Sequence, residues 1–414
     1  MTTNTSALDH STRRAPQGSV LDRVARHIVR SRLDSRVQLI EHGDKASRDG
    51  GIRVYIHDPA AYPKVLLGGS VGAPESYMDG DWTTNDLVGL CRLFARDDET
   101  LDSLEKGVAR LAMPALKLFD AARRNTKSGS RRNIAAHYDL GNTFFAEWLD
   151  ETMMYSSAFF ENAGETLADA SRNKIDRLCR KLDLRPSDHL LEIGTGWGGF
   201  AVHAAQEYGC RVTTATISRE QFELATERVR AAGLSDRVTV LLEDYRDLRG
   251  VYDKLVSIEM IEAVGQEYLD TYFAKCASLL KPDGLFALQS ILVRDQHYDY
   301  ATRSVDFIKR YIFPGGSLPS MSVALHSATT AADFGLVGME DITQHYALTL
   351  RRWRERFLER ASAIRAQGFD DRFMRMWEFY LAYCEAGFTE RMTTCAQILF
   401  GRGAFRSTVP GVRA

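Results

Sequence analysis

The chain lacks several features that would fix its class at once. Its six cysteines (Cys91, Cys179, Cys210, Cys276, Cys384 and Cys395) are scattered, with no C-x-x-C pair. Neither a disulfide framework nor a metal site is expected, and reduced thiols of a cytoplasmic protein are the default. No apolar run approaches the roughly 18 residues of a membrane-spanning helix, so any membrane contact is expected to be peripheral. The first residues, MTTNTSALDHSTRRAPQGS, lack the apolar stretch of a secretory leader. Neither charge sign is in excess: the formal net charge of −2 gives no global field that would draw nucleic acid.

What is present is ordinary for a globular chain. The 414 residues are 44% hydrophobic and 26% charged, enough for a sizeable core and for two or three domains. One local imbalance stands out. Arg123, Arg124, Lys127, Arg131 and Arg132 form a basic run without an acid inside it. It reads as a solvated linker or as a contact for anionic phospholipid headgroups.

The pattern along the chain changes near this run. Residues 1–19 are polar and read as a disordered tail. Apolar spacing predicts a helix over 20–33, short strands at 36–40 and 51–58, a glycine-punctuated stretch at 62–82 and a helix at 87–95. Residues 101–122 read as an amphipathic helix interrupted by Pro114. Together 20–122 make a small α+β domain, and 123–133 its linker. From 134 to 403 strands at 189–193, 210–218, 237–244, 252–260 and 284–293 alternate with helices, the signature of a Rossmann-like parallel sheet covered on both faces. Residues 330–400 read as mainly helical, with an apolar and aromatic stripe around Trp353, Phe357, Met376, Phe379, Tyr380 and Tyr383. Residues 404–414 are a tail.

The strongest local signal is LEIGTGWGG. A buried strand runs into Gly194, Gly196 and Gly198, which allow a tight turn and close approach of a ligand, and a helix follows. Glu192 stands at the strand end. This suits S-adenosylmethionine (SAM), with its sulfonium, ammonium and carboxylate, better than a pyrophosphate-bearing dinucleotide. The second strand ends at Thr216, Ile217 and Ser218 without the acid expected for a ribose diol, so Gln221 is the candidate for that contact. Asp244 and Tyr245, after the third strand, are candidates for the adenine.

Several stretches carry a family resemblance: YMDGDW, HYDLGNTFFAEWLDETMMYSSAFF, LEIGTGWGGF, TISREQ, EDYRDL, SIEMIEAVG, KRYIFPGGSLPS and YALTLRRWRERF. Over about residues 50–403 the chain resembles the cyclopropane-fatty-acyl-phospholipid synthases. The resemblance implies a class I SAM-dependent methyltransferase acting on the double bond of an unsaturated phospholipid acyl chain. Its N-terminal domain would engage lipid at the inner face of the membrane and support a homodimer. A cation formed on the acyl chain would need electron-rich walls, and Tyr155, Phe159, Phe160 and Tyr346 are candidates.

By the same motifs Tyr138, Tyr155 and Ser156 fall at the cofactor, with the Ser156 hydroxyl donating to the SAM carboxylate. The family holds bicarbonate as the base. Its positions map to Ser157 (where cysteine is usual), Glu262, Gln289 (where histidine is usual), Ile291 and Tyr346. A glutamine amide can donate to an anion but cannot carry charge or a proton. Methyl transfer is therefore better supported than ring closure, and a methyl- or methylene-branched product is the alternative. Glu259 reads as structural. A small-molecule N-methyltransferase, or a binding protein without catalysis, are the competing classes.

Overall fold

The computed structural model describes residues 20–33, 35–44, 51–96, 125–127, 129, 130, 133, 140–162 and 164–406. The helix expected at 101–122, Tyr138 and four arginines of the basic run (Arg123, Arg124, Arg131 and Arg132) lie outside them. No helix among the described residues is long and apolar enough to cross a membrane.

Residues 20–96 build a small layered unit. The helix Val20–Leu33 buries Ala25, Val29 and Leu33, spaced one turn apart, and packs mainly on the helix Ala61–Met78 beside a three-stranded sheet. That sheet joins β1 (Gln38–Ile40) parallel to β2 (Arg53–Ile56), and β2 antiparallel to β3 (Trp82–Thr84). The helix Leu87–Ala95 starts at Asp86, whose carboxylate accepts from the Gly89 N–H at 2.7 Å. The glycine-punctuated stretch folds as a helix, Ala61–Met78, broken by a kink at Gly69 (φ 54°). The kink places Pro74 within the opening turns of the second half, where its missing N–H is tolerated.

The large sheet has seven strands: β4 (His189–Ile193), β5 (Arg211–Thr216), β6 (Val238–Leu242), β7 (Tyr252–Ile258), β8 (Leu280–Val293), β9 (Phe334–Asp341) and β10 (Thr393–Arg402). Their order is β6-β5-β4-β7-β8-β10-β9. The first five run parallel, as the strand–helix alternation predicts. β10 is antiparallel to both neighbours, and with β9 it lies in the region read as mainly helical. In β10, Cys395 to Ile398 are buried without a break, so the strand shows no alternation by which it could be told from a buried helix. The chain winds outward from β4 in one direction and from β7 in the other. Their shared carboxyl ends are the switch point, where α/β sheets bind ligands.

The small unit and the large one share a core. The cluster that holds Ala25, Leu39 and Trp82 continues without interruption through Phe144, Trp148 and Trp377. The helix Asp371–Thr389 carries the joint: Glu378 accepts from the Tyr77 hydroxyl at 3.1 Å, and Arg372 pairs with Asp79 at 3.0 Å. A second joint lies at a π-helical turn, Ile308–Ile312, where Arg310 (2.9 Å) and the Tyr311 hydroxyl both meet Glu75. Of the residues read as linker, Asn125, Ser130 and Asn133 are buried, and the Asn125 amide donates to the Gly315 carbonyl at 2.7 Å.

Candidate active site

The glycine turn after β4 forms because its three alternate glycines all take positive φ: Gly194 at 102°, Gly196 at 51° and Gly198 at 86°. Their surroundings differ. A Cβ on Gly194 would lie 3.2 Å from Met260, and one on Gly198 3.1 Å from the Ala225 Cβ, so these two glycines serve close packing. A Cβ on Gly196 would meet nothing within 4 Å, so this glycine borders the open space where a cofactor cradle is expected. Gly198 then opens the helix Gly199–Glu207, whose first amides point toward that cradle. Residues 152–154, leading into MMYSSAFF, pack on this helix start: a Cβ on Gly199 would stand 2.9 Å from the Thr152 carbonyl and 3.0 Å from the Met154 sulfur.

The expected cofactor residues line the ends of β4, β5 and β6. Glu192 is buried, takes a hydrogen bond from the Thr214 hydroxyl at 2.6 Å, and is pushed up to about 8 by burial. Gln221, also buried, has its amide carbonyl held by the Thr216 hydroxyl at 2.8 Å, which leaves its NH2 group for a ligand. Ile217 follows Thr216 at the strand end and is half-buried. Asp244 is gripped by Arg246 through Nε at 2.8 Å and Nη2 at 2.7 Å, and this pairing with further hydrogen bonds holds it below its usual value against the effect of burial. Tyr245 packs edge-on to Tyr272 at 5.5 Å.

The two serines of MMYSSAFF part company. The Ser156 hydroxyl takes a hydrogen bond at 2.7 Å from Lys174, a fully buried lysine on the helix Leu167–Lys181. An ammonium only donates, so the hydroxyl accepts and its own hydrogen stays available. Ser157 uses its hydroxyl locally, donating to the Ala158 carbonyl at 3.0 Å. Its backbone N–H donates at 2.9 Å to Glu259.

Glu259, which the sequence leads one to expect as structural, is where donors from three segments meet. It directly follows β7 and holds φ 49°, a left-handed conformation costing about 1 kcal/mol for a residue with a Cβ. Its own N–H anchors it to the Gln289 carbonyl at 2.8 Å. Its carboxylate accepts from the Ser157 N–H at 2.9 Å, Gln289 Nε2 at 2.8 Å and the Tyr346 hydroxyl at 2.7 Å. Burial pushes its pKa up, while these three donors and the charge of Lys174 oppose the rise. Lys174 in turn is pulled down to about 8 by burial, opposed chiefly by Glu259.

Glu262, one 3-10 turn further on, has a different environment. Its Oε1 accepts from the Ile291 N–H at 2.6 Å and the Ser290 hydroxyl at 3.0 Å. Its Oε2 is enclosed without a hydrogen-bond partner. Burial, then the charge of Glu259, push it up to about 8. Burial raises both carboxyls, but Glu259 has three hydrogen-bond donors and the charge of Lys174 opposing the rise, whereas the charge of Glu259 adds to the rise at Glu262.

An aromatic wall adjoins this pair. Tyr155 lies 5.4 Å from both Trp148 and Trp353 and 5.5 Å from Phe145, ring centre to ring centre, and its hydroxyl meets that of Tyr380 at 2.8 Å. Tyr346 stacks on Phe388 at 4.2 Å. Phe159 is already engaged, with the Arg177 guanidinium 3.9 Å over its ring and His345 stacked at 4.0 Å; Phe160 is buried core. Lys174, Trp148 and the donor set of Glu259 are not singled out by the sequence. The signal for Glu259 was its place three residues before Glu262 at the end of a strand. Lys174 resembles any other lysine of an amphipathic helix.

A seven-stranded sheet of this order, with a glycine turn after its first strand in chain order, defines a class I SAM-dependent methyltransferase. The family model for mycolic acid cyclopropane synthetase matches residues 125–398, and the chain belongs to that family. It is 41% identical over 345 residues to tuberculostearic acid methyltransferase UfaA1 of Mycobacterium tuberculosis, covering 81% of this chain and 80% of that protein. It is 37% identical over 353 residues to the cyclopropane-fatty-acyl-phospholipid synthase of Escherichia coli K12, covering 84% and 88%. Among solved structures, the cyclopropane synthase MmaA2 of M. tuberculosis superposes with a TM-score of 0.62 at 29% identity, over 66% of this chain and 98% of that one. Mycolic acid cyclopropane synthase CmaA1, solved with S-adenosylhomocysteine, gives the same values. The protein is a SAM-dependent methyltransferase.

Proposed function

We propose that the protein transfers a methyl group from SAM to the double bond of an unsaturated phospholipid acyl chain and removes a proton to close a cyclopropane, with Glu259 as the proton acceptor. When bound, SAM supplies an electrophilic methyl carbon. The alkene's π electrons form the new C–C bond as the S–C bond breaks, and a cation is left on the acyl chain. A base then takes a proton from the added methyl, and the freed electron pair closes the ring.

The observation that carries this reading is the donor set around Glu259. The Ser157 N–H, Gln289 and Tyr346 are groups that the family resemblance assigns to bicarbonate, and here all three end on a side-chain carboxylate. The donors are taken, so bicarbonate does not fit this site and no step is routed through it. The Tyr155 and Trp353 faces supply negative potential for the cation, and the buried surroundings exclude water. We further infer that residues 20–122 engage the lipid surface, that the enzyme acts peripherally at the cytoplasmic face, and that Ser156, Gln221, Asp244 and Tyr245 hold the cofactor.

A second product is favoured by the same observation. A fixed carboxylate does not diffuse as an ion does, so if it faces the neighbouring chain carbon the proton comes from there and a methylene branch results. The 41% identical relative bears the name of a fatty-acid methyltransferase, tuberculostearic acid methyltransferase, and not of a cyclopropane synthase. Mass spectrometry of lipids from cells expressing the chain tests both. A gain of one CH2 on unsaturated acyl chains is expected, and its absence with folded, SAM-binding protein overturns the proposal. Fragmentation of the product separates ring from branch.

A further inference from the structure

Gln289 sits in a row of polar side chains that crosses the sheet. In the antiparallel register of β8 and β10 it lies directly opposite Gln397, and Gln397 lies opposite Glu340 on β9. On its other side Gln289 pairs with Ile258 of β7, the residue before Glu259. Both glutamines are fully buried. The helix Leu167–Lys181 covers the row with Lys174, Arg177 and Lys181, spaced three and four apart and so on one face. Lys181 donates to Gln397 Oε1 and, at 2.6 Å, to Glu340.

The direction of each bond follows from the first. An ammonium has donors only, so it is the carbonyl end of Gln397 that meets Lys181. The NH2 end then points across the strand and donates to Gln289 Oε1 at 3.0 Å. That occupies the Gln289 carbonyl and leaves its NH2 facing Glu259 Oε1 at 2.8 Å and the Ser157 carbonyl at 3.4 Å. A free amide could flip and accept from a protonated Glu259. This one cannot flip without breaking two buried bonds, and unsatisfied buried amides are costly.

We propose that Gln397 and Lys181 are positioning residues: they fix the polarity of the Gln289 amide, so that it only donates to Glu259 and holds it as a carboxylate. This rests on the reading of Glu259 as the base. The other groups that face Glu259 are Lys174, Tyr346, the Cys395 thiol at 3.7 Å, the Ser157 N–H and Glu262. None of them turns the amide.

The test reverses the polarity. In Gln397→Glu a carboxylate paired with Lys181 offers acceptors only, so Gln289 must turn its NH2 toward position 397 and its carbonyl toward Glu259, which then pairs only when protonated. The probe is an infrared pH titration of the full-length enzyme, following the carboxyl band that Glu259→Gln removes. The expected result is a midpoint raised by about one pH unit or more, a tenfold loss of ionised base at a given pH. Lys181→Met leaves every buried amide in place, guards against misfolding of the first variant, and is expected to raise the midpoint by a smaller amount. An unchanged midpoint in folded Lys181→Met or Gln397→Glu overturns the relay. Failure of the base reading is distinct: Glu259→Gln would then make product at the wild-type rate, whatever the midpoints do.

Discussion

The Tyr346 hydroxyl and the Glu259 carboxylate are hydrogen-bonded at 2.7 Å, although 87 residues separate them in the chain. Tyr346 reaches the site from the helix Thr343–Glu359, and Glu259 from the turn after β7. The bond joins the parallel half of the sheet to the helical layer that carries Trp353. It fixes a buried carboxylate at the wall where an acyl-chain cation would form.

Replacing that carboxylate tests its role directly. Glu259→Gln keeps the shape and the contact with the Ser157 N–H, but has no basic oxygen to give. Product formation is expected to fall by about 10²–10⁴, the usual contribution of a positioned base. SAM affinity, measured by calorimetry, is expected to stay within a few-fold. Full activity in this variant would return the base role to another group.

Ser157→Cys is expected to be benign. The hydroxyl of Ser157 bonds only to the neighbouring Ala158 carbonyl, and the bond to Glu259 comes from the backbone. Loss of one local hydrogen bond is worth about 1 kcal/mol at most in folding. Initial rates on unsaturated phospholipid vesicles are expected within about fivefold of wild type, the kinetic equivalent of that energy.

Gly196→Ala separates cofactor binding from folding. The added methyl meets no protein atom within 4 Å, so the fold bears only the cost of a left-handed alanine, about 1 kcal/mol. SAM affinity is expected to drop at least about tenfold, because the methyl enters the cradle. Gly198→Ala, pressed 3.1 Å from the Ala225 Cβ, is expected to lower the melting temperature more.

Stability should fall as pH rises from about 5 to 8. Glu262 and Glu192 hold their protons up to about 8 in the folded protein, whereas in the unfolded chain they ionise near the ordinary glutamate value of about 4.3. The unfolded state therefore binds fewer protons across this window, and unfolding is favoured as pH climbs. Glu262→Gln removes one titrating group and is expected to flatten the dependence, as read by thermal unfolding at pH 5, 6.5 and 8.

The sequence by itself determined the frame. Strand–helix alternation from 189 to 293 predicted the five parallel strands, because each buried strand is a short apolar run and each helix has its own period. The glycines of LEIGTGWGG marked the cofactor turn, since only glycine takes positive φ at three alternate positions without strain. The family motifs also group Ser157, Glu262, Gln289, Ile291 and Tyr346 as one set.

Tertiary structure decided what stands at the centre of that set. Glu259 and Glu262 are chemically identical and three residues apart, and nothing local says which carboxylate will meet the donors. The choice follows from the left-handed backbone at Glu259 and from partners on β8, the segment at 157 and the helix at 346. The buried strand β10 was equally illegible, because a strand covered on both faces carries no alternation. Gln397 and Lys181 gain their meaning only from strand register and helix packing, which set the direction of every hydrogen bond from the lysine to the base.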